Sequence, residues 1–147
     1  MKLIKQETTP LSSIDWEAMK ARIAMENILM VRVAGNKNTN HADIEVGKRI
    51  ADAVYRRFGV YPGAFQEKHL LWFIDNKVSQ LLAGQVLRYW KVISTIALKQ
   101  GKDRHWAPVL LRAINRQCLA QGWKEVERVI WKRTRPQQAV PAARGSS

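Results

Sequence analysis

The sequence predicts a mostly α-helical chain: a single compact bundle of five or six helices followed by a flexible C-terminal tail. Three observations predict it. Apolar residues recur at steps of three, four and seven along most of the chain, the period of a helix with one buried face. Gly, Pro and Asn cut that pattern into pieces of helical length. At 147 residues, 46% hydrophobic and 25% charged, the chain is the size of one domain and apolar enough to bury about two-thirds of its unfolded surface.

Residues 1–12 read as a loose leader with Pro10 as a breaker, and residues 13–133 as the helical domain. The first helix starts at Ser12 or Ser13, with Asp15 in position for a capping box, and buries Ile14, Ala18, Ala21, Met25 and Ile28 until Gly35 stops it. The polar run Gly35–Asn40 reads as a hinge loop. Asn40 caps a second helix, His41 to about Phe58, whose inward stripe is Val46, Ile50, Ala53, Val54 and Phe58. Gly59 closes it, and Val60–Gly63 is a turn. Ala64–Ile74 is too short and too apolar for its period to separate helix from strand, although its helical neighbours favour helix.

The next helix runs from about Val78 to Gln100. Leu82, Val86, Tyr89, Ile93 and Ile96 share one side, and Arg88, Lys91, Thr95 and Lys99 fall nearly opposite. Gly101 ends it. Asp103 caps a further helix with Pro108 in its first turn, and that helix runs through Leu111, Ile114 and Cys118 to Gly122. A last helix, Lys124–Arg133, places Lys124, Arg128 and Lys132 at steps of four. Residues 134–147, rich in Pro, Gly, Ala, Gln and Ser, have the composition of a disordered tail.

Charge is what points to function. The formal net charge is +13, and it is unevenly spread: residues 1–75 carry 11 Lys and Arg against 9 Asp and Glu, whereas residues 76–147 carry 14 against 3. Such asymmetry points to a polyanionic partner for the second half. A basic helical surface over residues 78–133 is expected to neutralise phosphates through Arg88, Lys91, Lys99, Lys102, Arg104, Arg112, Arg116, Lys124, Arg128, Lys132 and Arg133. Trp90 sits beside the apolar stripe and reads as core. Trp106, in a loop beside Arg104 and His105, and Trp131, followed by Lys132 and Arg133, are candidates for stacking on exposed bases. The tryptophans tilt the expectation from DNA towards RNA. The expected function is therefore non-enzymatic nucleic-acid binding of a regulatory or chaperone-like kind. The alternative is a small helical subunit that docks by its basic face within a larger protein or ribonucleoprotein assembly. A protein partner or homo-oligomer fits either reading, and exposed apolar surface on the N-terminal helices would favour the subunit.

Other chemistries find little support. His41, His69, His105 and Cys118 lie 28, 36 and 13 residues apart, which matches no metal-ligand spacing. In His41-Ala-Asp43-Ile-Glu45, alternate residues diverge on a helix, and capping by Asp43 explains the carboxylate. No phosphate-binding glycine loop, nucleophile elbow or dinucleotide fingerprint occurs, so no cofactor and no catalytic residue is expected. A helix-turn-helix around Gly101–Asp103 would present Arg112 and Arg116, but Pro108 and Trp106 make an awkward start for a recognition helix. With one cysteine, no apolar run of ~20 residues and no secretory h-region, a soluble cytoplasmic protein without membrane association is expected.

One family resemblance emerges from these residues. Tyr61-Pro62-Gly63-Ala64-Phe65, followed by His69-Leu70-Leu71, resembles the PG-x-F…LL segment of the FinO/ProQ-type RNA chaperones. Leu87, Arg88, Lys91, Ile93, Ala97, Lys99, Gly101 and Arg104 resemble the family's basic helix and its G-x-x-R end. The resemblance covers residues ~50–106 with gaps, and His105-Trp106-Ala107-Pro108 stands where the family has an R-x-D-L-x-G hairpin. It implies recognition of RNA hairpins with single-stranded tails, with Arg88, Lys91 and Arg104 as contacts.

Overall fold

The computed structural model describes residues 13–31 and 39–131. These form five α-helices and two single 3-10 turns, with no strand among the described residues. The helices are α1 (Ser13–Met30), α2 (His41–Phe58), α3 (Glu67–Lys77), α4 (Ala83–Lys99) and α5 (Asp103–Ala120); the turns are Pro62–Ala64 and Val78–Gln80. The expected all-helical bundle is what the chain forms. The leader, most of the hinge loop and the tail lie outside the described residues, as do Lys132 and Arg133.

α1 and α2 pack as an antiparallel pair at unusually close range. A Cβ on Gly47 would lie 2.4 Å from Leu29 Cδ1 and 3.3 Å from Met25 Cγ, so any larger residue there would have to displace the buried Leu29 side chain. Asn40 caps α2 as expected, its side chain accepting from Asp43 N–H at 2.9 Å. Ion pairs then lace the outer seam: Asp15 to Arg56, Asp52 to both Arg22 and Arg56, and Lys48 to Glu26 and Glu45. The pairing with Asp15 and Asp52 raises the Arg56 pKa further above its usual value.

The ambiguous apolar segment is a helix. His69 caps its start, because Gln66 N–H donates to His69 Nδ1 at 2.9 Å. That ring is buried against Phe58 and Phe65, and burial, with help from Lys68, lowers its pKa.

α4 is the axis of the bundle. From Val92 to Leu98 every residue is buried, so the second half of α4 has no solvent face. Thr95, expected outside, is buried and bonds back to the Lys91 carbonyl at 2.8 Å. The amphipathic pattern of α4 ends at Lys91, because Thr95 satisfies its own hydroxyl on the helix and is covered. Trp90 is core, as expected. α4 ends at Gly101, φ +71°, with Lys102 N–H bonding to Ala97 and Gly101 N–H to Leu98, a Schellman cap. α5 begins at Asp103, so Pro108 lies inside the helix rather than in its first turn.

The largest departure is the expected last helix. Beyond α5, residues 123–131 run without helix as an extended strap. Gly122 in the left-handed region and the bond from Trp123 N–H to the Cys118 carbonyl terminate α5. Val126, Val129 and Ile130 then disfavour a new helix, and so short a piece could not hold itself helical. The strap lies on α4 and α5 because two side chains grip its backbone. The Asn115 amide bonds both polar groups of Val126, donating to its carbonyl at 3.0 Å and accepting from its N–H at 2.7 Å. Trp90 Nε1 donates to the Glu127 carbonyl at 2.8 Å.

Candidate nucleic-acid interface

The strap, α4 and the start of α5 enclose a groove of about 410 Å³ lined by Trp90, Ser94, Asp103, Arg104, Ala107, Arg128, Val129, Ile130 and Trp131. Three expected site residues meet here from two elements, Arg104 on α5 and Arg128 and Trp131 on the strap. Neither Arg104 nor Arg128 forms a salt bridge among the described residues, and both are exposed. Asp103 shares the wall and is itself engaged. Trp131 is half-buried, with one part of the indole left to the groove.

The other basic residues separate into distinct places. Arg88 and Lys91 face the N-terminus of α2, where Asp43 holds them at 2.9 and 3.7 Å. Asp43 is 5% exposed, so this pair is partly shielded from water and part of the framework. Lys99 donates to the Val31 carbonyl at the end of α1, where a cation meets the negative end of the helix. Lys99 and Lys102 line a second cleft with Ile28, Val31, Phe65 and Trp106. Lys124 borders a third, largely apolar cleft with Val86, Leu87, Trp123 and Val126.

On α5, at about 100° per residue, Arg104 lies on the strap-facing flank with Ala107, Leu111 and Asn115. Arg112 and Arg116, with His105, fall on the outer face, roughly 80–120° further round. Arg116 is within 4.0 Å of Asp75 on α3, a contact exposed enough to be worth little. The basic surface is thus several clusters rather than one sheet of charge. Lys102, Arg104, Arg112, Lys124 and Arg128 make no salt bridge with any described residue.

Trp106 is corrected. It lies on α5, 8% exposed and packed in the core, so it is a core side chain rather than the exposed loop residue expected. Its position at a helical step from Leu110, Ala113 and Ile114 explains why. The helical reading of Lys124 and Arg128 is replaced by the strap, which turns Arg128 towards Arg104.

Two contributors carried no strong signal in the sequence. Ser94 lies within an apolar run, is 6% exposed, lines the groove, and its Oγ has no hydrogen-bond partner among the described residues. Asn115 is a polar side chain in mid-helix, where its low helical propensity hints at an outside role. No group of three or more His, Cys, Asp or Glu among the described residues is arranged to hold a metal ion. Cys118 is buried, as expected, and burial raises its thiol pKa, helped by Glu125. No helix of the described residues is long and apolar enough to cross a membrane. Comparison with protein-family models, curated proteins and solved structures finds no match.

Proposed function

We propose that the chain binds nucleic acid without catalysing a reaction, with RNA favoured over DNA, in a regulatory or chaperone-like role. One observation carries the reading. The guanidinium groups of Arg104 and Arg128 are brought from separate elements to one groove beside a partly exposed indole, while Asp15, Glu26, Asp43, Glu45 and Asp52 of the N-terminal half are engaged in ion pairs elsewhere. A cation left without a partner costs least where a phosphate will supply one. The outer face of α5, with Arg112 and Arg116, extends the surface a strand would follow. The resemblance to FinO/ProQ-type RNA chaperones points in the same direction through Arg104, while Arg88 and Lys91 serve Asp43 instead.

The test is binding of the full chain to labelled RNA and DNA across a salt series. A contact of ~4–6 phosphates gives a log–log slope of roughly −3 to −5. Reversing Arg104 and Arg128 to Glu should remove most of the binding and leave helical content unchanged. Absence of binding at about 50 mM salt, where phosphate contacts are strongest, would sink the reading.

A second reading draws on α1. Trp16, Ile23 and Met30 are exposed and lie seven residues apart, opposite the buried Ala18–Ala21–Met25–Leu29 stripe. A helix apolar on two sides has one more face than α2 covers. This supports a helical subunit that meets a protein partner through α1. It is tested by whether Trp16→Glu with Ile23→Glu changes the mass of the protein in solution; an unchanged monomer in both forms removes the support for self-association.

A further inference from the structure

We infer that the groove between α4, α5 and the strap is a pocket for one unstacked nucleobase of a single strand, with Trp131 as its stacking face, Ser94 as its hydrogen-bonding floor, and Arg104 and Arg128 on the adjacent phosphates. This rests on the nucleic-acid reading above and adds what form of nucleic acid the surface takes.

The floor is the informative part. A serine inside a helix ordinarily returns its hydroxyl to the carbonyl one turn back, as Thr95 does to Lys91 one residue further along. Ser94 Oγ does neither this nor any other pairing among the described residues, although the side chain is more than nine-tenths buried. A buried hydroxyl without a partner is a cost to the fold that alanine would avoid. The residue lines the groove while its oxygen is turned away from solvent; rotation about the Cα–Cβ bond would bring the hydroxyl to the polar edge of a bound base, where it can donate or accept.

The remaining walls fit the same guest. A cavity of about 410 Å³ falls within the roughly 300–1,000 Å³ typical of small-ligand sites and suits a nucleotide. Its apolar surface, from Val129, Ile130, Ala107 and the Trp131 indole, matches the faces of a flat ring. Two guanidinium groups stand at the rim, where the backbone would enter and leave. A duplex cannot supply the guest, because its bases are stacked and paired; a single strand offers one at little cost. An acidic peptide would use the arginines but leave the indole and the hydroxyl without a role.

The experiment uses the full chain with a labelled single-stranded RNA, a blunt RNA duplex and polyglutamate as competitor, at one ionic strength. The single strand should bind at least about tenfold more tightly than the duplex, and Trp131→Ala should weaken it about fivefold or more while leaving duplex binding unchanged. Ser94→Ala should leave thermal stability unchanged or higher and lower single-strand affinity about three- to tenfold. This variant decides the matter if Trp131→Ala loosens the strap. Equal binding of strand and duplex, an indifferent Ser94→Ala, or equal competition by polyglutamate overturns the pocket. Binding of both nucleic acids with unaffected variants leaves the function standing without the pocket, whereas no binding to either removes both.

Discussion

Asp43 Oδ1 accepts from the Arg88 guanidinium at 2.9 Å across the α2–α4 seam, and Lys91 approaches the same carboxylate at 3.7 Å. The pair turns two of the most suggestive basic residues in the sequence into structural elements. Asp43 also sits in the first turn of α2, where the helix dipole favours a negative charge. Asp43→Asn should cost roughly 1–2 kcal/mol of stability, since Asp43 is buried but Arg88 is half exposed. It should also raise affinity for nucleic acid at low salt by freeing two cations. Urea unfolding and a binding titration on the same variant check both halves.

Asn115 clips the strap through both polar groups of Val126. Asn115→Leu leaves those backbone groups to water and should cost about 1–3 kcal/mol. The clearer readout is local. Trypsin should cut after Lys124 and Arg128 faster than in the parent protein, while α1 and α2 stay intact, because opening a segment is less costly than unfolding the bundle. Equal cleavage rates would mean that Trp90 alone holds the strap.

Burial holds His69 neutral, and its Nδ1 must stay unprotonated to accept from Gln66 N–H. Its folded pKa lies below the unfolded value of about 6.5, so the unfolded chain takes up a proton that the folded chain resists. The stability contribution is therefore complete above about pH 6.5 and declines as pH falls from there towards the lower folded value. The urea midpoint should drop between about pH 7.5 and pH 5. His69→Gln, which keeps an acceptor for the Gln66 N–H, should flatten part of that drop.

Gly47→Ala should destabilise by about 1–3 kcal/mol, because the added carbon meets Leu29 Cδ1 at 2.4 Å and a packed helix pair yields little. Combining it with Leu29→Ala should recover part of the loss, which a thermal melt of the double variant would show.

How far the sequence was legible follows a physical divide. The caps of α2 and the ends of α4 and α5 were readable because their signals are local: Asn40 before a helical period, Gly59, Gly101 and Gly122 after one. Within α4 and α5 the period was readable but the exposure was not. Thr95 and Trp106 look accessible in one dimension and are covered by other helices in three. Lys124–Trp131 failed for the opposite reason. The i, i+4 charges there mimic a helix, yet the conformation is set by Asn115 and Trp90, which no local window contains. For the candidate site, charge asymmetry identified Arg104 and Arg128, and the extended backbone of the strap made them neighbours. Ser94 became visible only through the missing partner of its hydroxyl.

The bond from Trp90 to the Glu127 carbonyl also bears on the order in which the molecule is made. α4 is the axis of the bundle, yet its cover is completed by a segment that leaves the ribosome 37 residues after Trp90. Until then the largest side chain of the core faces water on one side, and the nascent bundle exposes an apolar furrow suited to a chaperone or to another unfinished chain. A polypeptide halted at Gly122 contains the residues of all five helices and lacks the strap. The segment that covers Trp90 is also the one that carries Arg128 and Trp131, so an unfinished chain has no finished groove to offer a ligand.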